Sequence, residues 1–295
     1  MANSALGGML AFVTGAGSGI GRAVCQVLAR EGAKVIATDK DEKSAQKTLS
    51  LLKSSSATSQ HLHLPLDVSR SEEVYSVVKS AIEHFSVPPT IVVNCAGITR
   101  DNFLLKLDED SFQQVIDVNL KGTFLVTQTI ARALVEANIT GGSIINLASI
   151  VGRTGNIGQC SYAASKAAIE AFTKTTAKEL GTKNINLYAL SHPKYHDNLV
   201  NVTQADPWRN VHRMFHKAVW CSSAPYFGIR CNAVVPGFIH TPMTDAVPDK
   251  VKEKFRANIA LRRFGKAEEV AEVIAFLASD KSSYVNGASI EVIGG

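Results

Sequence analysis

Three residues whose chemistry suits proton transfer lie close together in the chain: Ser149, Tyr162 and Lys166. Tyr162 and Lys166 are four residues apart, so a helix that begins near Ser161 would place both side chains on one face. An ammonium group one turn from a phenol favours the phenolate, and we therefore expect Lys166 to lower the pKa of Tyr162 from its ordinary value of about 10. A tyrosine tuned in this way could give or take a proton near neutral pH.

Ser149 follows an apolar run, residues 143–148, that is typical of a buried strand. Its hydroxyl would then lie at the carboxyl end of the strand, where it could hold the oxygen of a substrate carbonyl. An ordinary surface helix that carries Tyr162 and Lys166 is the alternative, because the Tyr-x-x-x-Lys spacing alone is weak evidence. The catalytic interpretation therefore requires a cofactor site elsewhere in the chain.

A glycine-rich turn near the N-terminus supplies such a site. An apolar strand pattern (Met9–Thr14) leads into the turn, and a helical pattern (Arg22–Arg30) and a second strand (Lys34–Thr38) follow it. Glycines in this place let main-chain N–H groups approach a pyrophosphate at the amino end of a helix, whose dipole also favours an anion. A tight turn without a ligand is the alternative. The candidate cofactor contacts in the turn are Gly15, Ser18, Gly19, Ile20 and Gly21.

Asp39 ends the second strand at about the distance from the glycines, roughly twenty residues, that suits ribose binding. A carboxylate there accepts hydrogen bonds from the adenosine ribose and repels a 2′-phosphate, so we predict NAD rather than NADP. Lys40 is the nearby cation that could favour NADP, and a solvated loop acid is the alternative interpretation of Asp39. Further candidate cofactor contacts follow the third and fourth strands: Asp67, Val68, Asn94, Ala96 and Gly97.

Strands and helices continue to alternate, which predicts a single α/β domain over residues 1–295. We expect a Rossmann-like, doubly wound parallel sheet of about seven strands with helices on both faces. One long helix is predicted from about Glu109 to Ala137, with Asn119 near its middle. Because an asparagine amide competes with main-chain hydrogen bonds, we interpret Asn119 as a kink that holds a water molecule beside Lys166. An asparagine bonded to its own helix is the alternative.

The composition excludes several classes of protein. The 295 residues are 45% hydrophobic, and no apolar run approaches the length of a membrane span. The net charge of +5 is scattered, so nucleic acid is not suggested. Five cysteines without paired spacing predict reduced thiols in an intracellular protein, with no metal site. The first eight residues predict neither a secretory signal nor an Arg-rich presequence.

The chain resembles the short-chain dehydrogenase/reductase family in five motifs that occur in the family's order. The motifs are Thr14-Gly-Ala-Gly-Ser-Gly-Ile-Gly21, Asn94-Cys-Ala-Gly97, Ser149, Tyr162-Ala-Ala-Ser-Lys166 and Pro236-Gly237. Within the family, it is most similar to the type-eight 17-beta-hydroxysteroid dehydrogenases and to the 3-oxoacyl-acyl-carrier-protein reductases.

This resemblance implies a catalytic tetrad of Asn119, Ser149, Tyr162 and Lys166. Tyr162 would exchange a proton with the substrate and Ser149 would orient its carbonyl, so both would contact the substrate. Lys166 would hold the nicotinamide ribose and lower the pKa of Tyr162, while Asn119 would hold a relay water. The remaining implied contacts, on the nicotinamide side, are Pro236, Gly237, Ile239 and Thr241.

The resemblance also implies an activity and a setting. The activity is hydride transfer between NAD(H) and a 3-hydroxyacyl or 3-oxoacyl thioester of coenzyme A, with a hydroxysteroid such as estradiol as a secondary substrate. An NADPH-dependent carrier-protein reductase and a catalytically weak, cofactor-binding subunit are the alternatives. A tetramer, with a carbonyl reductase as the partner subunit, and the mitochondrial matrix are implied as well, with the cytoplasm as the alternative compartment.

One segment, residues 183–226, does not fit the family pattern, although it contains both tryptophans and four of the eight histidines. A metal site is one interpretation of the histidine pairs His192/His196 and His212/His216, but no further ligand completes it and Pro193 breaks the first helix. A lid or a partner-binding insertion is another. We favour a non-homologous stretch, such as a splice variant or a retained intron, because the family pattern resumes cleanly at Phe227. A helix-to-strand connection at this point would lie at the amino edge of the sheet, away from the cofactor.

Overall fold

The computed structural model describes residues 4–52, 60–181, 227–245 and 247–295. All three interpretations of residues 183–226 therefore concern a segment that lies outside the described residues. Within the described ranges, no helix has the length and apolar character that crossing a bilayer would require.

Seven parallel strands form one sheet, which confirms the predicted Rossmann-like fold. The strands are β1 Leu10–Thr14, β2 Lys34–Asp39, β3 Leu62–Pro65, β4 Ile91–Asn94, β5 Gly142–Leu147, β6 Ile229–Pro236 and β7 Ser289–Val292. Their order in the sheet is β3-β2-β1-β4-β5-β6-β7. The strand order reverses between β1 and β4, and a crevice for ligands opens at such a switch point.

Helices cover both faces of the sheet. The helices are α1 Gly19–Arg30, α2 Glu42–Ser50, α3 Ser71–Phe85, α4 Glu109–Ile116, α5 Gly122–Glu136, α6 Val151–Thr154, α7 Cys160–Gly181, α8 Pro242–Asp245, α9 Asp249–Asn258 and α10 Ala267–Ala278. The alternation of side chains along β1 shows how the two faces are covered. Ala11 and Val13 pack into one buried cluster with α1 and α10, whereas Phe12 packs into a second cluster beneath α3 and α5. Two short 3₁₀ turns span Leu104–Lys106 and Asp280–Ser282.

The long helix predicted over residues 109–137 is interrupted. A π-helical turn, Asp117–Lys121, separates α4 from α5 and contains Asn119 at its centre. The amide of Asn119 does not bond to its own helix; it bonds to the main chain of Ile98 and to Ser165. The predicted kink is therefore present, because the Asn119 amide finds its partners on other segments.

Candidate active site

A cleft of about 1300 Å³ opens at the carboxyl ends of the strands. Of all the residues predicted to form the site, only Asn94 and Asn119 do not line it. The fold thus gathers side chains that are more than two hundred residues apart in the chain, because parallel strands present all of their carboxyl ends at one edge.

The glycine turn connects β1 to α1 and needs its glycines for two reasons. Gly15 and Gly19 have φ of +62° and +49°, the left-handed region that side chains with a Cβ rarely adopt. A Cβ on Gly21 would lie 2.1 Å from the carbonyl oxygen of Gly15, so the first turn of α1 closes directly over the loop. A backbone exposed in this way can approach an anionic ligand closely.

Asp39 supports this turn in a way that the sequence does not indicate. Its Oδ2 accepts a hydrogen bond of 2.9 Å from the main-chain N–H of Gly17, and its Oδ1 accepts one of 3.0 Å from Asp41. On the other side of the turn, Arg22 donates to the carbonyl oxygen of Gly17 and to Thr48. Each carboxylate oxygen of Asp39 has lone pairs to spare, so the group can bind a ribose while it holds the turn.

Asp67 lines the cleft beyond β3, but its carboxylate is already engaged. Lys40 donates to Oδ2 at 2.7 Å, and Ser69 donates to Oδ1 from both its main chain and its hydroxyl. Partial burial would raise the pKa of Asp67, but the hydrogen bonds from Lys40 and Ser69 outweigh it and hold that pKa below its ordinary value. Lys40, the cation that could have favoured NADP, is thus paired with an acid.

Asn94 was predicted to contact the cofactor, but it does not line the cleft. Its side chain is buried, and its Nδ2 donates to Thr127 at 3.0 Å and to Asn146 at 2.8 Å. These bonds tie β4 to β5 and α5 beneath the cleft. The reason is the alternation of the strand, which turns the Asn94 side chain into the protein, while Ala96 and Gly97 beyond the strand end do line the cleft.

Ser149, Tyr162 and Lys166 meet at the cleft as predicted. Ser149 follows β5, and its hydroxyl meets the Tyr162 phenol at the cleft that both residues line. The Ser149 Oγ accepts a hydrogen bond of 3.2 Å from the N–H of Val151. Tyr162 and Lys166 lie one turn apart near the start of α7. The Lys166 Nζ lies 5.7 Å from the centroid of the Tyr162 ring and donates to the carbonyl oxygen of Leu147 at 2.7 Å.

The electrostatics of these residues differ from the expectation. Burial raises the pKa of Tyr162, against the opposing effect of the Ser149 hydrogen bond. Burial also lowers the pKa of Lys166 to about 8. The predicted lowering of the Tyr162 pKa by Lys166 is therefore not observed. The physical reason is that burial disfavours the charged form of each group, while the ammonium is directed to a carbonyl oxygen rather than to the phenol.

Asn119 lies behind the cleft, fully buried, and faces Lys166 across Gly97. Its Oδ1 accepts a bond of 2.8 Å from the N–H of Ile98, and its Nδ2 donates to Ile98 and Ser165. A Cβ on Gly97 would lie 3.3 Å from Asn119 Oδ1 and 3.5 Å from Lys166 Nζ. Asn119 therefore shapes the cleft through the segment that carries Gly97.

Sequence reasoning missed an apolar wall that the segment after β6 adds to the cleft. Three residues at intervals of four, Val247, Val251 and Phe255, line the cleft from α9 and the loop before it. Phe255 stacks on Phe238, with ring centroids 3.9 Å apart. The four-residue spacing was the signal that could have found this wall. Met243 also lines the cleft and is 48% exposed.

The loop after β6 also reaches the glycine turn. A Cβ on Gly19 would lie 3.2 Å from the Cγ2 of Thr241, so Thr241 lies directly against the amino end of α1. Thr241 and Ile239, which the resemblance implied as contacts, thus lie where the glycine turn and the apolar wall meet.

Comparisons with known proteins agree with this geometry. The family described as short chain dehydrogenase matches residues 9–201, and the family described as Enoyl-(Acyl carrier protein) reductase matches residues 215–295. Proteins named (3R)-3-hydroxyacyl-CoA dehydrogenase from Mus musculus and Homo sapiens are each 45% identical over 97% of this chain and 95% and 94% of their own lengths. The 3-oxoacyl-[acyl-carrier-protein] reductase FabG of Thermotoga maritima is 38% identical over 98% of both chains.

Proposed function

The chain belongs to the short-chain dehydrogenase family, and from that premise we propose that it transfers a hydride between NAD(H) and carbon 3 of a 3-hydroxyacyl or 3-oxoacyl thioester of coenzyme A. The observation that carries the chemistry is that Ser149 and Tyr162 line the same cleft, with Lys166 one turn further along α7. The relatives named (3R)-3-hydroxyacyl-CoA dehydrogenase support the substrate class.

The chain's own residues handle the proton and the substrate oxygen. Ser149 would hold that oxygen by a hydrogen bond, and Tyr162 would give it a proton in the reductive direction and take the proton back in the oxidative direction. Lys166, with a pKa of about 8, would be mostly an ammonium at neutral pH and would hold the nicotinamide ribose. A bound nicotinamide supplies or accepts the hydride.

The residues of the cleft fit a dinucleotide. No side chain fits between Gly21 and the Gly15 carbonyl, so the turn presents its main chain to the cleft. Its main-chain N–H groups would therefore hold the pyrophosphate. Asp39 would accept hydrogen bonds from the adenosine ribose and disfavour a 2′-phosphate. Lys40 pairs with Asp67 at 2.7 Å, so its positive charge does not offset the negative charge of Asp39. This pairing supports NAD over NADP.

The apolar wall supports an acyl substrate. Phe238, Val251 and Phe255 present the kind of surface that a hydrocarbon chain or a steroid ring system buries favourably. We propose the acyl thioester as the main substrate and a hydroxysteroid such as estradiol as a secondary one. The test is turnover by the purified full chain of acetoacetyl-CoA with NADH, beside acetoacetyl-CoA with NADPH and estradiol with NAD.

A second candidate function is an NADPH-dependent reductase of acyl groups on a carrier protein, which the 38% identity to the FabG reductase favours. The same assay with NADPH and an acetoacetyl carrier protein separates it from our proposal. Greater efficiency with that pair than with NADH and acetoacetyl-CoA would replace the first proposal by the second. If the chain turns over none of these substrates but still binds NADH, the remaining hypothesis is the catalytically weak, cofactor-binding subunit.

We further propose that residues 1–295 form one domain with an insertion at residues 183–226, and that it assembles as a tetramer in the mitochondrial matrix with a carbonyl reductase as the partner subunit. An aromatic pair supports an interface on α5 and α7. Phe124, 40% exposed, makes an edge contact with Phe172 at a centroid distance of 6.4 Å. Light scattering of the chain with and without that reductase is the test, and a monomer in both samples would contradict assembly.

A further inference from the structure

Ser149 and Tyr162 meet at the cleft from two separate elements, since Ser149 precedes α6 and Tyr162 is in the first turn of α7. α6 has only four residues, and none of them is buried. Such a helix does not hold itself in place, because isolated helices shorter than about 12 residues are marginal in water. The main chain on either side of Ser149 is bonded to β6, and what attaches α6 to α7 fixes the remaining freedom of Ser149 relative to Tyr162.

Two of the contacts between α6 and α7 come from consecutive residues of α6, Gly152 and Arg153. The main chain of Gly152 packs directly on α7, where a Cβ would lie 2.8 Å from the carbonyl carbon of Lys166. The next residue, Arg153, donates from its Nε to both carboxylate oxygens of Glu170, at 2.9 and 3.1 Å. Arg153 also pairs with Glu291 of β7, so one guanidinium joins α6, α7 and the last strand of the sheet.

Glu170 lies on the face of α7 that carries the two proton-transfer candidates, because Tyr162, Lys166 and Glu170 follow one another at intervals of four residues. Its side chain is only 10% exposed. Hydrogen bonds from Arg153 hold the pKa of Glu170 below its ordinary value, so the carboxylate is charged at neutral pH. A charged group that is largely buried needs its partner, and this need keeps Arg153 in place.

We propose that Arg153 and Glu170 are positioning residues that set the distance between the Ser149 hydroxyl and the Tyr162 phenol. Neither side chain lines the cleft, so both act through α6 and α7 without touching the substrate. The inference rests on the proposed function, because the distance that it concerns is the one across which the substrate oxygen would be held.

Arg153→Met is the first test, since methionine keeps much of the side-chain length and removes the charge and the donors. A displacement of the order of an ångström is costly to a proton-transfer site, so we expect kcat with acetoacetyl-CoA to fall about tenfold while the KM values change less than about twofold. Arg153→Lys keeps the charge and should recover part of the loss. The matched control is Arg30→Met, which breaks the exposed pair with Glu272 (2.9 Å) and should leave kcat unchanged.

A double variant distinguishes a loss of kcat caused by displacement of Ser149 from a loss caused by unfolding. Arg153→Met with Glu170→Met removes the buried charge together with its partner, a replacement that proteins often tolerate without loss of stability. We expect this variant to melt near the wild-type temperature and still to show the reduced kcat. A double variant that melts as the wild type does and has full kcat would overturn the proposal.

A readout that needs no turnover separates this inference from the proposed function. The pKa of Tyr162 can be followed by carbon NMR of ring-labelled tyrosine, with its signal assigned by its loss in Tyr162→Phe. The nearby Ser149 hydroxyl favours the phenolate, so the Tyr162 pKa should rise in Arg153→Met towards the value in Ser149→Ala. An inactive wild-type chain would refute the proposed function alone, whereas an unchanged Tyr162 pKa in Arg153→Met would refute the positioning role.

Discussion

Lys40 and Asp67 form an ion pair of 2.7 Å at the rim of the cleft, between the carboxyl ends of β2 and β3. The cation beside the candidate ribose site is thereby neutralised by an acid, and Asp39 next to it is not. The net charge beside the candidate ribose site is consequently negative, which disfavours binding of a 2′-phosphate.

The first prediction concerns Asp39→Ala, which should relax the choice of cofactor towards NADP. We expect the preference for NADH over NADPH to fall by about tenfold, because the repulsion of a 2′-phosphate and the bonds to the ribose are lost together. Since Asp39 also accepts a bond from Gly17, NADH binding should weaken as well. The measurement is kcat/KM with each cofactor.

Asp41→Ala is the matched control, because Asp41 is an acid in the same loop whose side chain accepts a hydrogen bond from the N–H of Lys43 at the start of α2. Its loss should weaken the start of α2 and leave the cofactor preference unchanged. A wild-type chain that prefers NADPH would contradict the assignment of Asp39.

The second prediction is that Tyr162→Phe abolishes turnover and retains NADH binding. Removal of the phenol proton should lower kcat by about 10²–10⁴-fold, the usual contribution of a general acid or base. Titration of NADH fluorescence gives the binding constant. Tyr75→Phe, on the exposed side of α3 with 65% of its surface accessible, is the control and should be fully active. Unchanged turnover in Tyr162→Phe would mean that another group exchanges the proton.

The third prediction follows from the buried Lys166, whose pKa is lowered by burial from 10.5 to about 8. Between these two values the unfolded chain binds the proton more tightly than the folded one, so this group makes folding more favourable as the pH rises from about 8 to about 10.5. Lys166→Met removes the cost of the buried charge. We expect it to stabilise the fold below pH 8 by up to about 3 kcal/mol.

Urea unfolding at several pH values measures this effect as a difference between Lys166→Met and the wild type. The difference should shrink as the pH rises towards 10.5 and vanish above it, because Lys166 is then neutral in both the folded and the unfolded state. The comparison cancels the opposing contribution of a buried thiol that does not interact with Lys166, such as Cys231, whose pKa burial raises to about 12. Lys178→Met, on the exposed side of α7, is the control, and a pH-independent difference for Lys166→Met would contradict the prediction.

The fourth prediction concerns residues 183–226. A Cβ on Gly181 would lie 4.0 Å from the carbonyl oxygen of Ile229, so the end of α7 and the start of β6 are neighbours in space. A short connection can therefore replace the segment, and it would lie at the edge of the sheet opposite the cleft. We expect a chain lacking residues 183–226 to fold and to oxidise NADH with acetoacetyl-CoA at least as fast as the full chain. An inactive but folded deletion variant would assign the segment a role in catalysis.

Much of the site could be predicted from the chain order alone. The alternating strand and helix patterns placed the glycine turn, Asp39 and Ser149 at strand ends, and parallel strands bring such ends together. The four-residue interval placed Tyr162 and Lys166 on one helix face because helical periodicity is a local property. For the same reason Asn119 could be recognised as a break in a helix.

The sequence by itself thus determined the family, the fold and a set of candidate site residues, of which all but Asn94 and Asn119 line the cleft. Only the tertiary structure decided the directions in which the pKa values of Tyr162 and Lys166 shift, the inward direction of the Asn94 side chain, and the contact of Arg153 with Glu170. These features depend on burial and on partners distant in the chain, and neither exists until helices pack on the sheet. A pKa in particular is set by the loss of water around a group, which no local pattern of residues records.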